Sequence, residues 1–132
     1  MTTGYVLDRP SRLTCPECGG AVMPERMGTL LQYRCHIGHV LTAETMLVAT
    51  LRELETMLAA CLRMLNERTE LCREVAERGD ADGRYRAALE AAAAQARERA
   101  ETLRNMLQSE WVQPVELEHE GEPWFPEFIG RR

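Results

Sequence analysis

Two short stretches of the sequence place cysteines and histidines at the spacing of metal ligands: "CPECGG" at residues 15–20 and "RCHIGH" at residues 34–39. Cys15 and Cys18 are separated by two residues, a spacing that lets both thiolates reach one metal ion. Cys35 follows Cys18 by 17 positions, which is within the usual separation of paired zinc ligands. The sequence therefore predicts a metal site to which both stretches contribute.

The fourth ligand is one of two histidines. His36 is adjacent to Cys35, and neighbouring side chains point in different directions from a short strand or turn. His39 lies four residues after Cys35, and Gly38 before it permits the required bend. The spacing favours His39 and leaves His36 as the alternative, so the predicted metal ligands are Cys15, Cys18, Cys35 and His39.

Three thiolates and one imidazole favour Zn²⁺ and complete its tetrahedron. A closed site of this kind is structural rather than catalytic. The surrounding region, residues 1–41, has only short apolar runs at 21–23 and 30–33, which predict short strands. Too few apolar residues are present to hold this region by burial alone, so we expect a rubredoxin-like zinc ribbon that the metal stabilises.

Residues 42–108 predict a long antiparallel helical hairpin, because they are rich in Ala, Leu, Glu and Arg. Thr42 is a suitable N-cap, and Glu44 places a negative charge in the first turn. The stretch "RGDADG" at 78–83 ends the first helix, and a second begins near Arg84. A short connection makes the two helices antiparallel neighbours. The predicted fold class is therefore mainly α with a small β zinc ribbon.

Apolar residues at alternating steps of four and three predict the packed seam of each helix. The first helix has Leu47, Leu51, Leu54, Leu58, Cys61, Leu65, Arg68, Cys72 and Val75, of which only Arg68 is polar. The second helix has Leu89, Ala93, Ala96, Ala100, Leu103 and Leu107. Cys61 and Cys72 are eleven residues apart, or ~16 Å along a helix, too far for a disulfide. Both are expected in the core.

Met57, Met64 and Leu71 form a further apolar stripe on the first helix. One alanine-rich partner helix cannot cover this stripe as well as the seam. Either the C-terminal tail folds over the stripe, or two hairpins pair as a homodimer with a four-helix bundle.

Residues 109–132 form an acidic tail with several aromatic side chains. Its prolines exclude a long helix. The aromatic residues either lie on the hairpin or dock on another protein, with Trp124, Phe125 and Phe128 as the expected contacts.

The 132 residues carry a net charge of -5, and all 16 basic residues are Arg. The acidic balance argues against nucleic acid as a partner, although Arg12 and Arg34 remain candidate phosphate contacts. The N-terminus has no apolar stretch typical of a signal peptide, and no apolar run is long enough to span a membrane. We therefore expect a cytoplasmic protein whose cysteines bind metal or remain free thiols.

"LTCPECGG" and "YRCHIGHVLTAETML", followed by the Ala/Arg/Glu-rich hairpin, resemble the C-terminal extension of chemotaxis protein-glutamate methylesterases of the CheB type. The resemblance covers residues 12–108 and implies the same four zinc ligands. The Ser-His-Asp catalytic domain of those enzymes has no counterpart in the sequence, so no catalytic residue carries over and no enzyme is expected.

The resemblance implies a non-catalytic protein-interaction module in chemotaxis-like bacterial signalling. The alternatives are a zinc-ribbon regulator that binds nucleic acid and, with less support, a methylesterase or part of one. The predicted organisation is a zinc-ribbon unit (1–41), a hairpin (42–108) and a tail (109–132).

Overall fold

Four short strands and two long helices make up the computed structural model, which describes Leu7 and residues 9–114. The strands are β1 (Leu13–Thr14), β2 (Ala21–Met27), β3 (Leu30–Cys35) and β4 (Val40–Thr42), and the helices are α1 (Ala43–Arg78) and α2 (Gly83–Gln108). The predicted class, a helical hairpin preceded by a small β unit, is confirmed.

The strands form one antiparallel sheet in the order β1-β2-β3-β4. β2 and β3 are longer than their apolar runs predicted, because the ladder continues past Pro24 to the turn at Gly28, whose φ is 64°. β1 pairs only with Ala21 and Val22. Beyond these two residues β2 has no further described neighbour on that side, which is where a strand tolerates a proline that lacks an N–H.

The sheet has a small core made of Cys15, Val22, Cys35, Leu41 and Met46. Tyr33 packs against this cluster. Two of its five members are predicted metal ligands, and Met46 comes from the beginning of α1. Apolar burial in the sheet is therefore limited, as its sequence indicated.

Side-chain caps start both helices. The Thr42 hydroxyl accepts a hydrogen bond from the Thr45 amide at 3.1 Å, as its N-cap position predicted. Asp82 caps α2 and accepts from the Tyr85 amide at 2.8 Å. Only residues 79–82 connect α1 to α2, so the helices form the predicted hairpin.

The chain divides into two compact units. In the part that the structure describes, the first contains the residues up to Leu51 together with Pro114, and the second contains Arg52–Gln113. We call the first the ribbon unit and the second the hairpin unit. Met46 and Ala49 of α1 are buried, at 5% and 4% exposure, and belong to the ribbon unit.

The seam predicted for α2 is confirmed. Ala93, Ala96 and Ala100 are buried. Leu89, Leu103 and Leu107 are half-buried on the same face. The small alanine side chains allow a close approach of the two backbones.

The seam predicted for α1 is partly wrong, because alternate members point in different directions. Leu51, Leu58, Leu65 and Cys72 are buried or half-buried, whereas Leu47, Leu54, Cys61 and Arg68 are exposed. Val75, the last member of the predicted seam, is half-buried. Each set repeats every seven residues, and one neighbouring helix can cover only one of two adjacent columns. Cys72 is therefore a core residue, as predicted, but the prediction for Cys61 is wrong.

Met57, Met64 and Leu71 are exposed, at 55%, 61% and 61%. α2 does not cover this stripe, as the sequence indicated. The predicted tail contacts Trp124, Phe125 and Phe128 lie outside the described residues. Within the described part of the chain, every helix is too short or too polar to cross a membrane.

Candidate metal centre

The four predicted ligands converge at one end of the sheet. The thiol sulfurs of Cys15, Cys18 and Cys35 and a ring nitrogen of His39 all lie within 4.8 Å of one another. Cys15 and Cys35 are buried, Cys18 is exposed and His39 is half-buried. The cluster therefore has a covered side within the ribbon core and an open side toward Cys18.

A tight turn positions the first pair of cysteines. The Cys15 amide donates to the Gly20 carbonyl at 2.7 Å, and the Gly19 amide donates to the Cys15 carbonyl at 2.9 Å. Gly19 has a φ of 77°, a left-handed conformation that costs glycine little because it has no Cβ. This turn contains Cys18 and leads the chain into β2, which begins at Ala21.

A similar turn positions Cys35 and His39. The Cys35 amide donates to the His39 carbonyl at 3.0 Å, and the Gly38 amide donates to the Cys35 carbonyl at 3.1 Å. Gly38 has a φ of 109°. This is the bend that the sequence predicted between the two ligands.

His36 is not one of the four residues whose ligand atoms come together. A Cβ atom placed on Gly20 would be 2.4 Å from Cε1 of His36, so the imidazole ring lies directly against that glycine. The ring is exposed and lines a surface depression with Arg12, Glu25 and Arg34. Of the two histidines, the structure brings His39 to the three cysteines.

The spacing of the donor atoms fits Zn²⁺. Ligands at ~2.0–2.3 Å from a tetrahedral zinc ion are separated from one another by ~3.3–3.8 Å. The Sγ atoms of Cys18 and Cys35 are 3.7 Å apart, and His39 Nδ1 is 3.3 Å from Cys35 Sγ and 3.9 Å from Cys15 Sγ. Three sulfurs and one imidazole nitrogen also match zinc by ligand type.

Glu17 lies behind the ligand histidine. Its Oε2 atom is 3.5 Å from Nε2 of His39, while Nδ1 of the same ring faces the thiols. A carboxylate at the far nitrogen fixes the tautomer and the orientation of a metal-binding imidazole. Spacing arguments missed Glu17, although a carboxylate between the two cysteines of "CPEC" was a signal that could have identified it.

Backbone amides prepare Cys35 to bind as a thiolate. Burial raises the pKa of its thiol, but hydrogen bonds from the amides of His39, Ile37 and Gly38 outweigh burial and lower the pKa to about 6. The His39 amide is 3.3 Å from Cys35 Sγ. A hydrogen bond from the Cys18 thiol lowers this pKa further, so Cys35 is ionised at neutral pH.

Cys18 differs from Cys35. A hydrogen bond from the Gly20 amide lowers the pKa of its thiol, but desolvation and the thiols of Cys15 and Cys35 together raise it above the usual value. Desolvation is the largest cause that raises this pKa, and repulsion from Cys15 adds to it; a divalent ion bound by the thiolates would offset the repulsion.

The remaining cysteines take no part in the cluster, since Cys61 and Cys72 lie on α1 in the hairpin unit.

Comparison of this chain with protein-family models, curated proteins and solved structures gives no match.

Proposed function

We propose that this chain is a non-catalytic protein-interaction module whose ribbon unit is held together by a structural Zn²⁺ ion. The observation that carries the proposal is the closed donor set: four ligand atoms within 4.8 Å of one another, two of them on residues of the five-residue ribbon core. The metal would bind where apolar burial is least able to stabilise the fold.

The ligand count favours a structural role over a catalytic one. Catalytic zinc sites generally use three protein ligands and keep one position for water or substrate. Here Cys15, Cys18, Cys35 and His39 would fill all four positions. Glu17 is directed at His39, where it would orient a ligand rather than act as a free general base.

Cobalt substitution tests the closed site. The chain with Co²⁺ in place of Zn²⁺ should show the intense visible bands of a four-coordinate, thiolate-rich site. Adding azide should leave these bands unchanged, because no position is open. A shift of the bands on adding azide, or metal binding by fewer than four protein ligands, would overturn the structural role.

For the cellular setting, we propose chemotaxis-like bacterial signalling. Its support is the sequence resemblance of the two zinc-binding stretches and the hairpin to the CheB-type extension. Affinity capture from the native cell, with the full chain and with a chain that lacks residues 109–132, tests this setting. Recovery of chemoreceptors or their signalling partners supports it, and a set of partners without any chemotaxis protein counts against it.

A second candidate is nucleic-acid binding by the sheet. Arg12, Arg34 and His36 line one surface depression of about 370 Å³, where a phosphate group could be held. Against this, Arg34 Nε is bonded to Glu25 Oε2 at 3.0 Å, and the hydrogen bonds from Arg34 and Gln32 lower the pKa of that carboxylate. A negative charge thus stays in the depression. Binding in a gel-shift assay at low salt, lost at higher salt, would favour this candidate.

A further inference from the structure

α1 has a second apolar face in the hairpin unit, which α2 does not cover. It consists of Leu54, Met57, Cys61, Met64 and Leu71, and we call it the open stripe. Its members follow at the three- and four-residue steps of a coiled-coil seam, with Arg68 at the one remaining position. All are exposed, from 40% for Leu54 to 61% for Met64 and Leu71.

The residues that the hairpin buries most deeply are small. They are Thr69, Cys72, Ala76, Ala93, Ala96 and Ala100. The large apolar side chains of α1 are thus divided between a half-buried seam and the open stripe. A helix with two apolar faces is typical of bundles with more than two helices.

The two sides of the hairpin differ in polarity. One side has a groove between the helices, lined by Leu62, Asn66, Arg97, Ala100, Glu101 and Arg104. The open stripe lies on the other side of the α1 seam. By helical position, Tyr85 and Met106 of α2 belong to that same side, and they are 51% and 44% exposed. α2 therefore adds one large apolar side chain near each of its ends to that side, with Ala88, Ala92 and Arg99 between them.

This face is large enough for a specific dimer. The open stripe runs from Leu54 to Leu71, which is ~26 Å along the helix, and two adjacent helices make the face ~20 Å wide. Each chain would contribute ~500 Å², so a dimer would bury ~1,000 Å² in all, about the area that a specific interface requires.

We infer that the open stripe is the interface with a second copy of this chain, and that the two α1 helices cross it antiparallel to form a four-helix bundle. In a parallel pair every residue of the stripe would face itself, and Arg68 would meet Arg68 of the second copy. Two guanidinium groups in one apolar layer repel each other. An antiparallel pair separates them.

An antiparallel pair also places apolar residues of the two copies opposite each other when the two-fold axis of the dimer passes between Cys61 and Met64. Leu54 then faces Leu71 of the second copy, and Cys61 faces Met64. Arg68 faces Met57, where its aliphatic stem can pack while the guanidinium reaches solvent. Every layer of the stripe is then filled without a pair of like charges.

Sedimentation equilibrium of the full, zinc-loaded chain at about 1–100 µM tests the dimer. The wild type should have the mass of two chains. Met64→Glu should weaken association at least ~100-fold, because each interface would bury two new charges. Asn66→Glu places the same charge two residues away, in the polar groove, and should leave the dimer intact. Circular dichroism checks that both variants remain helical.

Cross-linking through cysteines placed at the two ends of the open stripe tests the orientation. In the antiparallel pair Leu71 of one copy faces Leu54 of the other, and the two Leu71 residues are ~26 Å apart along the helices. In a Cys61→Ala background, oxidation of Leu54→Cys mixed with Leu71→Cys should therefore give a disulfide-linked dimer, whereas neither variant alone should form one. Disulfide-linked dimers of Leu71→Cys alone would overturn the antiparallel arrangement.

A monomeric wild type would overturn the dimer. If Cys61 of that monomer became reactive toward maleimide only after removal of residues 115–132, the tail would be what covers the open stripe. If Cys61 were reactive from the start, the open stripe would be left for a different protein. The inference deepens the proposed interaction role and rests on it. The two can fail separately, because a monomer that retains tightly bound zinc would leave the structural site standing.

Discussion

The ribbon unit and the hairpin unit bury different kinds of residue. The ribbon core contains Val22, Leu41 and Met46 together with two cysteines of the candidate metal centre, Cys15 and Cys35. The hairpin buries a row of alanines and Cys72 along two helices of many turns. Neither unit buries much apolar volume, so we expect each to need a further source of stability in addition to its core.

The further stabilisation that suits each unit depends on the length of its strands or helices. A sheet of strands only two to seven residues long cannot supply enough burial, and four donor atoms on two turns can offset the shortage through one metal ion. Long helices satisfy their own backbone hydrogen bonds and can extend an apolar face over many turns. On the two proposals, the hairpin would use a second copy of itself where the ribbon would use zinc.

The largest effect is expected when a metal ligand is removed, because this should unfold the ribbon unit and spare the hairpin unit. Cys35→Ser should abolish stoichiometric zinc binding and unfold the ribbon unit while α2 stays helical, because metal binding contributes on the order of 10 kcal/mol to small zinc units. Zinc analysis and amide NMR dispersion measure the two effects. Cys72→Ser, a buried thiol in the hairpin, is the control and should retain zinc. A full complement of zinc in Cys35→Ser would exclude the proposed ligand set.

The reciprocal experiment places a charge in the alanine seam. Ala96 is 3% exposed, and Ala96→Glu should destabilise the hairpin by ~3 kcal/mol or more, because a buried carboxylate there has no partner. Thermal melting followed at the helix signal measures the loss, and zinc binding should persist. Ala94→Glu, on the exposed side of α2, is the matched control. Equal melting temperatures for the two variants would contradict the assigned seam.

A smaller effect is expected behind the metal site. Glu17→Gln should weaken zinc binding ~10-fold, since the amide would orient His39 less strongly than the carboxylate does. Competition with a chromophoric chelator measures the affinity. Glu25→Gln, a carboxylate on the same sheet that bonds Arg34, should show no change. If both variants bind like the wild type, Glu17 does not position the ligand.

The smallest effect is expected at the second histidine. His36→Ala should leave zinc affinity unchanged, because the ring packs on Gly20 rather than among the thiols. The same chelator competition measures it, with His39→Ala as the variant that should lose affinity. Loss of zinc in His36→Ala instead would mean that the ligand histidine had been assigned wrongly.

Much of the architecture followed from local rules. The two-residue and three-residue gaps in the ligand stretches, with Gly19 and Gly38 at the bends, predicted which side chains converge. Thr42 and "RGDADG" predicted where the first helix begins and ends to within a residue. The strands were less predictable, because β2 runs through Pro24, a residue that cannot donate a backbone hydrogen bond. Among the described residues, β1 pairs only with Ala21 and Val22, so no strand pairs with β2 at Pro24 on that side.

The choice between faces of α1 was the part that local rules could not make. Leu54 and Cys61 repeat every seven residues, and so do Leu58 and Leu65 beside them, so periodicity indicates two equivalent columns. Only the packing of α2 turns one column inward and leaves the other exposed.

Spacing and backbone preference over a few residues were enough to predict the four candidate donor residues, the two helices and the turn between them. Three features became visible only in the folded chain: Glu17 reaches His39, His36 covers Gly20, and Cys61 faces outward while Cys72 is buried. These outcomes depend on which surfaces come into contact in the folded chain, and the sequence around each residue does not specify those contacts.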